Sequence, residues 1–159
     1  MALSTKTTIT IDGETMTRFT ELSIHQNANA HHSFSIVQPV PKEFTSEAIE
    51  KSQNYVGKNI NIKIESNNMT TDAPFVFNGI ITQANLKRVN GSAGAIHIIG
   101  YSPTIALEGL PNTKSYTNKS LSDISQEIFG NYTQVQLRPT VNLKNNPTLP
   151  FTVQYNESD

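Results

Sequence analysis

Asn59-Ile60-Asn61-Ile62-Lys63-Ile64 is the segment that decides the fold class. Three isoleucines alternate with three polar residues. Successive side chains of an extended chain point to opposite faces, so this spacing gathers the isoleucines on one buried side of a strand. A helix would scatter them around its circumference. Downstream, Phe75 to Leu86 predicts a long strand with Phe75, Phe77 and Ile81 on one side. Gly79 holds the remaining position of that side, which predicts a bulge or a close approach of neighbouring backbone. Asn90-Gly91 predicts a hairpin turn, with Ala95 to Tyr101 pairing back.

Upstream, Thr7 to Ile11 sets Ile9 and Ile11 on one face, and Asp12-Gly13 supplies a turn. Arg18 to His25 alternates Leu22 and Ile24 with Glu21 and Ser23. After the polar connection Gln26 to Ala30, His32 to Val37 turns Phe34 and Ile36 inward, and Pro39 and Pro41 are expected to stop the strand. One helix interrupts the pattern. Phe44, Ala48, Ile49, Ser52, Tyr55 and Val56 recur three and four apart, predicting a helix at about 43–56 with Gly57 as its C-terminal cap.

The region after Tyr101 reads differently. Ser102-Pro103 opens an irregular or helical passage to Gly109. Ser120 fits an N-cap with Asp123 at the third helical position. Leu121, Ile124, Ile128 and Phe129 then form the apolar face of a helix over 120–129, ended by Gly130. Val135 to Leu137 predicts a short strand, Asn142 to Pro150 a loop, and Phe151 to Tyr155 a closing strand. The expected fold is therefore mainly β with two short helices. Residues 1–102 form an antiparallel, closed or nearly closed β-barrel, and 103–159 form a connecting segment ending in the 151–155 strand.

The 159 residues carry a formal charge of -1, with cations dispersed among carboxylates, which disfavours nucleic acid or an anionic membrane as partner. No apolar run reaches the roughly 18 residues that span a bilayer, and the N-terminus lacks signal-peptide features. Asn-x-Ser/Thr triplets such as those at Asn68, Asn118, Asn131 and Asn156 are then chance products of an Asn- and Thr-rich chain. Absence of cysteine removes disulfides, thiolate metal sites and thiol nucleophiles.

Candidates for chemistry are few. His31 and His32 are adjacent and point to opposite faces of a strand, while His25 and His97 fall on separate strands, so the four histidines read as strand residues and not as metal ligands. Glu43, Glu47 and Glu50 share a helix with lysine, and Asp12 and Asp72 sit in turns. No nucleophile elbow, P-loop or dinucleotide fingerprint occurs; Gly91 and Gly94 frame a hairpin. The reading is non-enzymatic, with no catalytic residues, no cofactor and no metal. Tyr55, Tyr101, Tyr116, Tyr132 and Tyr155 suit half-wet packing or interface positions, although they leave a carbohydrate- or surface-binding β module as the alternative.

Several segments, in order, resemble the N-terminal region of VgrG, the spike protein of type VI secretion, and the hub proteins of contractile phage tails, including the late-control D family. They are Tyr55-Val56-Gly57-Lys58 running into Asn59–Ile64, Phe77-Asn78-Gly79-Ile80-Ile81, Gly100-Tyr101-Ser102-Pro103-Thr104-Ile105-Ala106-Leu107, the helix Ser120 to Phe129, and Phe151-Thr152-Val153-Gln154-Tyr155-Asn156-Glu157-Ser158-Asp159. The last run is the most specific. The resemblance covers nearly the whole chain from about Thr8, and it implies a second barrel, an OB-like domain and a β-prism beyond residue 159. It further implies a structural hub: a homotrimer whose paired barrels adapt a hexameric, Hcp-like tail tube to a three-fold spike, in contact with baseplate proteins and with effectors through further domains. Such a protein assembles in the cytoplasm and leaves through the injection machine. Polar strand positions such as Lys63, Thr82 and Gln83 then face the ring or its lumen, or simply solvent.

Overall fold

The computed structural model describes residues 4–40, 46–66, 73–89, 93–133 and 143–158. The chain divides into two compact units, Met1–Ser102 and Pro103–Asp159.

The first unit is built on one seven-stranded antiparallel sheet. Its strands are β1 (Thr5–Ile11), β2 (Glu14–Thr15), β3 (Glu21–His25), β4 (Ser33–Val40), β5 (Asn59–Ser66), β6 (Phe75–Val89) and β7 (Ala93–Tyr101), in the spatial order β2-β1-β5-β6-β7-β4-β3. Helix α1 (Ser46–Gln53) lies in sequence between β4 and β5. The alternation read from the sequence sets the inside of the sheet. Ile60 and Ile62 pair with Gly79 and Phe77 of β6, while Ile11 and Ile9 pair with Ile60 and Ile62 from the other side. Ile9, Ile11, Phe34, Ile36, Ile60, Ile62, Phe77, Ile81, Ile96 and Ile98 form one buried cluster, with Met16, Phe19, Leu22, Ile24 and Tyr55 packed against its rim. Removing a side chain such as Ile62, which is fully buried, costs about 2–5 kcal/mol.

The expected closed or nearly closed barrel is not what forms: the sheet is open. Closure requires the two edge strands to pair with each other. Here β2 is a two-residue strand at one edge and β3 a five-residue strand at the other, and neither pairs with the other. Alternation reports that one face of each strand is buried, and it carries no information on whether the outermost strands meet. Mainly β with two helices holds.

Local signals account for the connections. Asp12 and Gly13 both take positive φ, 46° and 90°, between the pairs Ile11↔Glu14 and Thr10↔Thr15, the geometry of a tight two-residue hairpin. The Asp12 carboxylate also accepts a hydrogen bond from the Asn59 amide at 3.0 Å, tying this turn to β5. Pro39 does not stop β4, which continues to Val40. Strand β3 pairs with β4 only from Ser33 to Val37, so beyond Val37 β4 has one strand neighbour, and a missing N–H breaks no ladder on the vacant side. Helix α1 ends at Gln53, short of the expected 56, so Gly57 does not cap it directly. After the intervening turn Gly57, at φ 84°, leads the chain to β6: its amide donates to the Ile81 carbonyl at 2.8 Å, and the Ile81 amide returns a bond to the Lys58 carbonyl. The β6–β7 register slips between Ile81 and Gln83. The bulge is thus near Thr82, and Gly79 serves close packing instead. The Asn90-Gly91 turn falls outside the described residues, as do the start of the predicted helix at 43–45 and the predicted strand Val135 to Leu137.

The second unit holds a 3-10 turn (Pro103–Leu107), β8 (Asn112–Ser120), helix α2 (Leu121–Gly130) and β9 (Thr148–Glu157). β8 and β9 form a separate two-stranded antiparallel sheet. Ser120 ends β8 and caps α2: its hydroxyl accepts from the Asp123 amide at 3.2 Å and donates to the Asp123 carboxylate at 2.6 Å, and its own amide donates to the same carboxylate at 3.0 Å. Asn146 joins this cap, donating to the Ser120 hydroxyl and accepting from the Ser122 amide.

Candidate functional site

Glycine chemistry shapes the interior of the first unit. The Phe34 ring, 1% exposed, lies against Gly100 of β7 and Gly79 of β6 and meets Phe77 edge-on at 5.7 Å. A methyl group on Gly79 would stand 2.7 Å from the Tyr101 carbonyl oxygen and 2.9 Å from both rings. Two of the segments that resemble hub proteins, around Gly79 and Gly100, thus serve packing: each glycine lets a strand approach the aromatic pair.

The charged and polar positions have local explanations. Lys63 pairs with Glu65 at 2.7 Å, and that hydrogen bond holds the Glu65 carboxyl below its ordinary range. The Thr82 hydroxyl donates to the Ile99 carbonyl at 3.4 Å, and Gln83 is exposed. Glu127 on α2 receives Lys119 and Lys114, the latter at 2.9 Å, and both hydrogen bonds lower its pKa; Asp123 is lowered by its bonds from Ser120. Both lysine ammoniums lie over the Tyr116 ring, at 5.4 and 5.8 Å from its centroid.

The structure does not gather the histidines. His25 pairs with Ser33, His97 lies between Val37 and Asn85, and His32 uses its carbonyl to receive the Ser102 amide. Among the described residues no three histidine, aspartate or glutamate side chains converge as metal ligands, and no helix is long and apolar enough to cross a membrane. The two tyrosines of the β8–β9 sheet do not share a face. On the β8–β9 sheet Tyr116 shares a side with Thr152 and is buried, whereas Tyr155 points the other way.

What the second unit does present is an apolar surface. On β9, Leu149, Phe151, Val153 and Tyr155 alternate onto one side; Phe151, Val153 and Tyr155 are 64%, 45% and 75% exposed. The opposite side carries Thr152 and the buried Gln154, whose carboxamide donates to the carbonyls of Glu157 and Ser158, both at 3.1 Å. Asn156, at φ 50°, donates its amide to the Thr113 hydroxyl. Exposed apolar side chains gathered on one face of a two-stranded sheet form a patch of the kind that marks interaction sites. A pair of strands is marginal on its own and gains most from a covering layer. Sequence reasoning took 151–155 as a closing strand and missed this outward face, although the alternation of Phe151, Val153 and Tyr155 carries the signal.

A family model for the phage tail baseplate hub (GPD) matches residues 43–159. The chain belongs to this family of structural hub proteins, and its non-enzymatic character follows from that membership. Comparison with curated proteins finds no match. Among solved structures, the fold is similar to the 43 kDa tail protein of prophage MuSo2 from Shewanella oneidensis (TM-score 0.73, 14% identity, covering 98% of this chain and 45% of that one). It is also similar to the tail protein from Neisseria meningitidis MC58 (TM-score 0.69, 13% identity, 97% and 42%) and to a chain of the Francisella PdpA–VgrG complex (TM-score 0.69, 13% identity, 98% and 26%). The chain therefore spans less than half the length of each of these proteins.

Proposed function

We propose that this chain is the N-terminal portion of a hub in a contractile injection machine, of the phage-tail or type VI secretion kind. Three copies of the complete protein form a ring that adapts a hexameric tail tube to a trimeric spike and contacts baseplate proteins. The hub assembles in the cytoplasm and is exported with the device. Membership of the baseplate hub family supports the reading, as does the greater length of the similar tail proteins, which leaves room for further domains.

The observation that carries it is the outward face of Phe151, Val153 and Tyr155, within the segment that most resembles the hub family. A hub works by being gripped by its neighbours, and apolar side chains on a paired strand supply such a grip. Burying these three contributes on the order of 4 kcal/mol, close to a thousandfold in affinity. Light scattering and electron microscopy of the complete protein with its tube protein test the reading. A ring of three stacked on the tube is expected, and Phe151→Ser with Tyr155→Ser abolishes it while this chain still folds. A strictly monomeric complete protein with no tube complex overturns the proposal.

A further inference from the structure

The run from Phe151 to Asp159 holds more than an outward face. The pairing of β9 with β8 keeps one register from Thr148 to Tyr155 and then slips: Thr113 stands opposite Tyr155, but Asn112 stands opposite Glu157. Asn156 is the extra residue, and it takes φ 50°, the left-handed conformation found at one class of β-bulge. Asparagine tolerates that conformation, whereas a β-branched residue is strained in it. The Asn156 amide donates to the Thr113 hydroxyl at 3.2 Å.

Gln154 holds the chain beyond the bulge. It is buried, and its amide nitrogen donates to the carbonyls of Glu157 and Ser158, both at 3.1 Å. A carboxamide nitrogen carries two N–H donors, one for each carbonyl. These two bonds fix the path of the main chain after Asn156. The slip also decides where one charge goes. Side chains alternate along a strand, so without the extra residue Glu157 would follow Phe151, Val153 and Tyr155 on the outward side. Opposite Asn112 it stands instead on the side of Lys114 and Gln154. A carboxylate at the end of an apolar row would lose its water when the row is covered, which opposes docking.

We infer that Gln154 is a positioning residue: with Asn156 it locks the register of β9, so that the outward row ends on Tyr155 and the Glu157 carboxylate is kept off it. The lock stands apart from the hub reading, and its value for assembly rests on that reading. Cross-strand nuclear Overhauser contacts in the 159-residue protein test the lock. The unaltered protein is expected to show Asn112 against Glu157. In Gln154→Met, which keeps the length and removes both donors, and in Asn156→Val, these contacts pass to residue 156 or are lost, while those between Tyr116 and Thr152 persist. Asn156→Gly, at ease in the left-handed conformation, retains them. In the complete protein Gln154→Met is expected to weaken ring assembly by roughly tenfold or more, and Glu157→Gln beside it to recover most of the loss. A complete protein that forms no ring when unaltered counts against the hub reading and leaves the register measurement to decide the lock. Asn112–Glu157 contacts retained in both Gln154→Met and Asn156→Val overturn the inference, as does a ring weakened by Gln154→Met that Glu157→Gln leaves unrepaired.

Discussion

Replacing Gly100 with alanine probes the packing on which the first unit depends. The added Cβ falls 2.6 Å from two atoms of the Phe34 ring and closer still to the Ile80 carbonyl oxygen. Carbon atoms in contact ordinarily stand about 3.5–4.0 Å apart, so the ring overlaps the methyl by roughly 1 Å. Neither obstacle yields easily. The carbonyl belongs to β6, whose Ile80 is held opposite Tyr101, and Phe34 is enclosed by Phe77 and the surrounding isoleucines. Overpacking costs about 1–3 kcal/mol and occasionally more; with main chain and an enclosed ring both in the way, a value of about 3 kcal/mol is expected. For a unit of this size that lowers Tm by about 12–24 °C. Thermal unfolding followed by far-ultraviolet circular dichroism reads it. Phe34→Leu introduced beside Gly100→Ala should recover part of the loss, giving a coupling above about 1 kcal/mol in a double-mutant cycle. A Gly100→Ala protein melting within about 3 °C of the original would refute the argument, as would strict additivity with Phe34→Leu.

Three further outcomes concern the second unit. Ser120→Ala removes the hydroxyl shared by Asp123 and Asn146 and should cost about 1–2 kcal/mol, measured by urea unfolding. Tyr116→Phe should stabilise by about 1 kcal/mol in the same assay, because the Tyr116 hydroxyl is buried with no hydrogen-bond partner among the described residues. Asp123 and Glu127 have folded-state pKa values below their ordinary 3.8 and 4.5, so their ionised bonds support α2 above that range. That support is lost as pH falls from about 4.5 through the depressed values. NMR titration should give midpoints below the ordinary ones, and Lys119→Met should raise that of Glu127.

The strands with isoleucine on one side were legible because burial on one face leaves a period of two: β5, β1 and β7 follow directly from their sequences. Ser120 with Asp123 announced its helix equally well, since the capping pair is a local interaction. The strand β8 was not foreseen. Asn112 to Ser120 contains a single large apolar residue, Tyr116, and a strand paired in a two-stranded sheet needs little burial to form. Strand β9 begins three residues early, at Thr148, and runs through Pro150. It has one neighbour, and Asn118, at φ 52°, stands between the paired residues Thr117 and Lys119 opposite that proline. The open outline of the larger sheet was illegible for a further reason. Whether edge strands meet is settled by their lengths and twist, which the alternation of Leu22 and Ile24 in β3 does not encode. The bond between Gln38 and Tyr55 was hidden too, because Gln38 continues the inward series of Phe34 and Ile36 and reads as a strand residue.

The length of β6 has a mechanical consequence. Its 15 residues make a rod of roughly 50 Å, hydrogen-bonded to β5 along its first part and to β7 along the rest. A thrust directed along that rod loads the rungs on both flanks in shear, many at once, instead of peeling them apart one after another. The same sheet pulled sideways at its short edge strands would unzip under far less force, so this chain resists strongly along one axis and weakly across it.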